Sequence, residues 1–307
     1  MVGPHPQRHL YRRTTGPVVT RVLVTGGASQ VGRSIAALVD NERYAHLNIT
    51  IATRPECDIT ISESVQQAIE RFDPDVIINT AAYTAVDAAE EHAAAATLTN
   101  RDGVAHLASH TGRRLIHLST DYVFDGTKTG WYTEADPVAP LGVYAESKWQ
   151  GEQAAAANPD HLILRTAWLY AAHGHNFVTT MLRHAAQRNE LRVVADQVGC
   201  PTSAHDLADA LLRLVDLDAV GTFHLAGAED TSWHGLACAA VDQAGLDIEI
   251  EPIATPDYPA PAPRPANSRL DSTALAERTG IRLPSWRDSL PAVVDAILTS
   301  DPIRTSP

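Results

Sequence analysis

The chain has 307 residues, 44% hydrophobic and 20% charged, enough for one large domain or two modest ones with a buried core. Its formal net charge of -13 argues against nucleic acid or anionic membranes as partners, and no apolar run reaches the roughly 18 residues of a membrane helix. Three scattered cysteines, Cys57, Cys200 and Cys238, suit a reducing, cytoplasmic setting without disulfides, and with no H-E-x-x-H motif no metal site is expected.

Residues 1–18 carry Pro, Gly, His and Arg without periodicity and read as a flexible N-terminal extension. Residues 18–25 form an apolar run suited to a strand buried on both faces of a parallel sheet. The turn Thr25-Gly26-Gly27-Ala28-Ser29-Gln30-Val31-Gly32 follows, then a helical stretch over 33–39. Strand, glycine-rich turn and helix form the opening of a dinucleotide-binding unit, where phosphate meets backbone amides. A second strand spans 48–54. NAD-specific enzymes place an acid at its end to hold the ribose 2′-hydroxyl. Here Thr53 and Arg54 stand there, and a hydroxyl with a cation fits a 2′-phosphate, so NADPH is favoured and NADH remains possible.

Cys57 to Thr60 lead into a helix ending at Phe72, Asp73-Pro74-Asp75 breaks it, and residues 76–79 form the next strand. Small residues after that strand allow a cofactor to lie against backbone. A helix is expected over 87–96, with Asn100 beginning a second helical run through 104–110. Residues 115–124 read as a strand that carries Thr120 to its carboxyl end, the edge where open α/β sheets bind ligands.

After a loop over 126–141, a helix over 143–157 carries Tyr144 and Lys148. Four residues apart, they share one helix face. A nearby ammonium favours phenolate, so Lys148 is expected to lower the Tyr144 pKa and make it a proton donor near neutral pH. Beyond lie a strand at 161–165, a helix at 176–187, a strand at 193–194, a turn at 197–202 and a helix at 204–217 capped by Ser203. A strand at 222–225 and a helix at 232–244 follow. Six prolines over 252–265 suggest an extended linker, ending in the stretch Arg264 to Leu270, and helices at 272–278 and 285–298 close the chain. Alternating strands and helices imply an α/β fold with a doubly wound parallel sheet.

With the glycine turn, Ser119-Thr120-Asp121-Tyr122-Val123-Phe124 and Tyr144-x-x-x-Lys148 in this order, the chain resembles the extended short-chain dehydrogenase/reductase superfamily. Longer stretches are similar to the dTDP-4-dehydrorhamnose reductase family: Asn79 to Asp87, Ser119 to Gly126, Tyr144 to Glu152, Arg165 to Tyr170, Asp196 to Thr202 and Arg264 to Leu270. The resemblance implies a Rossmann-type domain over 19–170 plus 202–226, and a smaller C-terminal α/β substrate domain over 171–201 plus 227–307. It implies reduction by NADPH of the C4 ketone of a dTDP-linked 4-keto-6-deoxy sugar, by a monomer or homodimer.

In that pattern Thr120, Tyr144 and Lys148 are the catalytic residues. The cofactor contacts fall on Gly26, Ser29, Gln30, Val31, Gly32, Thr53, Arg54, Asp58, Ile59, Ala81, Ala82, Tyr83 and Asn100, together with Tyr144 and Lys148. Substrate contacts fall on Thr84, Val86, Asp121, Trp168, Asn176, Arg264 and Arg269. Ser29 stands where the superfamily has its middle glycine, and Ala266 where a larger polar residue is expected. Another protein of this resemblance, the regulatory subunit of methionine adenosyltransferase, is an NADP-binding module rather than an enzyme. The intact Thr120, Tyr144 and Lys148 favour catalysis over that alternative, and Thr53 with Arg54 speaks against a 4-epimerase holding NAD.

Overall fold

The computed structural model describes residues 19–300, and the extension expected over 1–18 lies outside them. Buried apolar runs create the central sheet. In β1 (Thr20–Thr25), Val22, Leu23 and Val24 are buried on alternate faces, as helices covering both sides require. The chain then passes through α1 (Gln30–Ala36), β2 (Leu47–Ala52), α2 (Ser62–Phe72), β3 (Val76–Asn79), α3 (Val86–Glu91), α4 (Ala93–Thr97) and α5 (Gly103–Ala108). Next come β4 (Arg114–Thr120), α6 (Val143–Ala155), β5 (His161–Thr166), β6 (Leu169–Tyr170), α7 (Phe177–Ala185), β7 (Glu190–Val194), β8 (Val198–Gly199) and β9 (Thr202–Ser203). Last are α8 (Ala204–Leu214), β10 (Gly221–His224), β11 (Thr231–Ser232), α9 (Trp233–Gln243), β12 (Glu249–Ile253), α10 (Thr273–Thr279) and α11 (Trp286–Ser300).

Six strands form one parallel sheet in the order β10-β5-β4-β3-β1-β2. The chain steps from β1 outward to β2, then back across β1 to β3. This reversal opens a crevice at the carboxyl ends of β1 and β3. On one face α1 and α8 pack through Val31, Ile35, Leu207 and Leu211, while Val65, Ile69, Val104 and Leu107 of α2 and α5 fill the other. Each fully buried Leu or Ile contributes on the order of 1.5–3 kcal/mol. A third cluster gathers Phe124, Tyr132, Trp168, Tyr170 and Trp286 beyond the sheet edge, beside the parallel pair β7 and β12.

Several boundaries differ from the sequence expectation. The strand carrying Thr120 stops there instead of running to Phe124, because Thr120 Oγ1 accepts the Tyr122 amide and the chain turns into a 3-10 helix over Asp121–Val123. Helix α1 starts at Gln30, three residues early, because Ser29 caps it. The helix expected over 87–96 breaks at His92. A π-helical turn, Leu98–Asp102, then joins α4 to α5 and holds Asn100 in its middle. The strand expected at 193–194 begins at Glu190, since it pairs with β12, a strand absent from the sequence reading.

β12 also shortens the expected proline linker. Pro252 and Ile253 belong to that strand, and the rest of the segment is anchored. Ala262 donates to Asp87, Arg264 ion-pairs with Asp87, and Asn267 pairs with Val198.

Candidate active site

The carboxyl ends of β1, β3 and β4 open into one cleft of about 1110 Å³, at the point where the strand order reverses. The glycine turn forms its floor. Gly26 has φ 75°, and a Cβ there would lie 2.5 Å from the Ala81 amide nitrogen, so only glycine lets this turn meet the end of β3. Gly32 packs as tightly: its Cβ would lie 2.5 Å from the Gly26 carbonyl oxygen. The Ser29 side chain accepts from the Gly32 amide at 2.9 Å and lies 2.9 Å from Thr80 Oγ1. Thr80 gives its single hydroxyl hydrogen to the Thr25 carbonyl at 2.7 Å, so Ser29 is the donor to Thr80.

At the end of β2, the Thr53 amide and hydroxyl both donate to Glu56 Oε2 at 2.9 Å, so Thr53 turns toward its own loop. Arg54 reaches the cleft rim, where its Nε donates to Asp58 at 2.9 Å and its side chain stays 78% exposed. Asp58 also accepts the amide and hydroxyl of Thr60. Ile59 lines the same wall.

Beyond β3, Asn79 Oδ1 accepts from Thr25 Oγ1 and the Ala81 amide, which orients its Nδ2 toward His117 Nδ1 at 3.0 Å. Burial, together with the Lys148 charge, holds His117 well below the usual histidine pKa, so it is neutral. Asn100 accepts the Tyr83 amide, and its own Nδ2 donates to the Tyr83 carbonyl and to Ser147 Oγ. It thereby locks the strip Ala81, Ala82 and Tyr83 against the helix that carries Tyr144.

Thr120, Asp121, Tyr144 and Lys148 line the cleft together. Lys148 is 3% exposed and donates from Nζ to the Leu118 carbonyl at 2.6 Å. Burial lowers its pKa to about 8. The Tyr144 pKa is pushed up to about 12 by burial, against a lowering contribution from the Thr120 hydroxyl. This corrects the expectation that Lys148 lowers Tyr144 in the protein alone. The ammonium is spent on a backbone carbonyl, and desolvation of the phenolate outweighs it. The Thr120 hydroxyl donates to Asp121 Oδ1 at 3.1 Å, and Asp121 Oδ2 is buried without a hydrogen-bond partner among the described residues. Burial raises Asp121 to about 7.

Across the cleft, Trp168 sits at φ 45°, a strained left-handed conformation for an aromatic residue. Its ring stacks on Trp233, with centroids 3.4 Å apart and planes 3° apart. Gly199 lies directly beneath, where a Cβ would be 2.4 Å from Trp168 Cε2. Arg264 lines the cleft with its guanidinium 2.7 Å from Asp87, near Thr84 and Val86 on the same wall.

Asn176 also lines the cleft, but its side chain caps α7 and donates to the Ala171 carbonyl. Four sequence candidates stay outside: Gly32 behind the turn, Thr53 facing Glu56, Asn100 behind Tyr83, and Arg269. The Arg269 guanidinium is held by Asn267, Asp230 and the Thr129 carbonyl. The cleft adds residues the sequence reading missed. They include Arg33, Thr60, Tyr122, Trp233 and His173, whose Nε2 meets the Gln30 carbonyl at 3.0 Å. Arg33, Thr60 and Tyr122 adjoin or lie within stretches already singled out, whereas His173 and Trp233 arrive from distant segments that no local motif marks.

The family model described as the RmlD substrate binding domain matches residues 20–299. A dTDP-4-dehydrorhamnose reductase of Sinorhizobium fredii is 43% identical over 293 residues, covering 91% of this chain and 98% of that protein. The structure of a Clostridium acetobutylicum dTDP-4-dehydrorhamnose reductase superposes with a TM-score of 0.86 at 37% identity, covering 90% of this chain and 99% of that one. A dTDP-4-dehydrorhamnose reductase from Bacillus anthracis, solved in complex with NADP, gives a TM-score of 0.85 at 34% identity over 89% of this chain and 98% of that one.

Proposed function

This chain belongs to the dTDP-4-dehydrorhamnose reductase family, and we propose that Thr120, Tyr144 and Lys148 carry out its chemistry. It is an oxidoreductase that uses NADPH to reduce the C4 ketone of a dTDP-4-keto-6-deoxyhexose in dTDP-rhamnose biosynthesis. The observation that carries the residue assignment is one of placement. Thr120, Tyr144 and Lys148 share a cleft with the glycine turn, at the carboxyl edge of the sheet.

The cleft fits a dinucleotide. The Gly26 turn leaves backbone in direct contact with the Ala81 strip, and Arg54 stands at the end of β2 for a 2′-phosphate. Gly26, Gln30 and Val31 would hold the pyrophosphate side, with Ser29 bracing the turn beside it, and Asp58, Ile59 and Ala81 to Tyr83 the adenosine side. NADPH, when bound, supplies hydride to the ketone carbon. Tyr144 stays protonated at neutral pH, because burial raises its pKa, and hands its hydroxyl proton to the developing alkoxide. Thr120 orients the carbonyl oxygen.

Lys148 is already fixed to the Leu118 carbonyl, and its ammonium would hold the nicotinamide ribose hydroxyls when the cofactor binds. Residues 19–170 with 202–226 hold the cofactor in this reading, while 171–201 with 227–300 bring Asn176 and Arg264 to the sugar nucleotide, opposite Trp168 at the end of the first segment.

The test is consumption of NADPH, read as absorbance loss, with dTDP-4-dehydrorhamnose as the ketone. Turnover by the native chain and its collapse in Tyr144→Phe are expected. Undiminished turnover in Tyr144→Phe removes that residue from the chemistry.

A further inference from the structure

Thr120 has one hydroxyl hydrogen and three claims on its oxygen. Oγ1 accepts the Tyr122 amide at 3.2 Å, lies 3.1 Å from Asp121 Oδ1, and faces the Tyr144 hydroxyl. Asp121 is 2% exposed, and among the described residues its second oxygen, Oδ2, is buried with no partner in good hydrogen-bonding geometry, although the Ser268 hydroxyl lies beside the carboxyl. A largely buried carboxylate oxygen with no good hydrogen-bond partner is costly when charged and tolerable when it carries a proton.

We propose that Asp121 is a positioning residue whose protonation state decides where the Thr120 hydroxyl hydrogen points. When Asp121 is ionised, that hydrogen is drawn to Oδ1, and the ketone oxygen loses its donor. When Asp121 is protonated, the carboxyl donates to Thr120 Oγ1. The Thr120 hydrogen is then free for the ketone oxygen beside Tyr144. No bond to carbon changes in this step; one proton moves between water in the cleft and the carboxyl.

The surroundings allow this switch near neutral pH. Tyr122 lies beside Asp121 in the chain, Tyr144 faces it from α6, Cys200 from the turn before β9, and Ser268 from the 264–270 segment. None of these is charged at pH 6 to 8. Arg264 faces the neighbouring Tyr122 and is paired with Asp87, and Lys148 is held by the Leu118 carbonyl. Burial without a cation partner raises the Asp121 pKa to about 7.

The inference rests on the reductase reading for its kinetic arm only, so a spectroscopic arm uses the protein without substrate. Asp121→Asn keeps the shape and donates permanently from its amide, as the protonated acid would. In the infrared difference between the native protein and Asp121→Asn, a protonated-carboxyl band is expected at pH 6 and is expected to be gone by pH 8.5. Thr120→Val, which keeps the carboxyl and removes its partner, should shift that band.

In kinetics, kcat/KM of the native enzyme should fall by about tenfold between pH 6.5 and 8.5 relative to Asp121→Asn. Titration of Lys148 is common to both proteins and cancels in that ratio. Identical pH profiles in the two proteins overturn the proposal. So does a carboxyl band that is absent at pH 6 or unmoved in Thr120→Val, whatever the substrate proves to be.

Discussion

Ser29 Oγ lies 2.9 Å from Thr80 Oγ1, and because the Thr80 hydrogen is committed to the Thr25 carbonyl, the Ser29 hydrogen is committed to Thr80. The serine at the middle glycine position is thus a helix cap and a tie between the glycine turn and the end of β3. Its proton is not available to a phosphate. Ser29→Ala is expected to destabilise the cofactor-free protein by about 1 kcal/mol, the usual worth of an N-cap, read by thermal unfolding. NADPH affinity in the same variant should change by less than about tenfold, the loss expected on removing a hydrogen bond to a charged oxygen. A larger loss of affinity would show that the hydroxyl swings to the phosphate on binding.

Arg54 is exposed and, among the described residues, tied only to Asp58, so its guanidinium can turn toward a 2′-phosphate at the end of β2. Arg54→Ala should weaken NADPH by about tenfold and leave NADH nearly unchanged, measured by fluorescence titration of both cofactors. Equal losses for the two would take Arg54 away from the 2′-phosphate.

The parallel sheet was legible because strands buried on both faces write themselves as unbroken apolar runs, as in Val22 to Val24 and Val76 to Ile78. That Thr120, Tyr144 and Lys148 line one cleft was legible because one lies at a strand's carboxyl end and the other two lie four residues apart on a helix. What escaped is contact between distant segments. Trp168 and Trp233 are 65 positions apart and meet only because Gly199 leaves room beneath the ring. β12 was hidden by Pro252, which a strand tolerates at a sheet edge. The direction of the Tyr144 pKa was misread because helix spacing says nothing of the Leu118 carbonyl that claims the Lys148 ammonium.

Burial places the Tyr144 titration near 12, above the free value of about 10. The phenolate absorbance lost between the native protein and Tyr144→Phe, both without cofactor, should therefore appear only above pH 10. In turnover, Tyr144→Phe removes the proton and keeps the ring, so a fall of about 10² to 10⁴ is expected with cofactor binding intact. A native phenolate titrating at pH 7 to 8 without cofactor would mean that Lys148 turns from Leu118 to Tyr144 in solution.

Lys148 carries the clearest conflict between function and stability. Its pKa is about 8 in the folded protein and 10.5 in its unperturbed state, and the cause is burial. A base whose folded pKa is depressed favours the neutral form in the native state. Its destabilising effect is therefore fully present below pH 8, fades between 8 and 10.5, and is absent above. Lys148→Met has similar length and no charge. It should raise the unfolding midpoint at pH 7 relative to the native protein, with the gap narrowing as pH rises past 8. The same variant should lose turnover and bind NADPH more weakly, since the ammonium proposed to hold the cofactor ribose is gone. The Leu118 carbonyl loses its donor in this variant, which offsets part of the gain. A lower midpoint at pH 7 that does not depend on pH would show that the hydrogen bond to Leu118 outweighs the desolvation of the ammonium, and that Lys148 is held for stability as well as for chemistry.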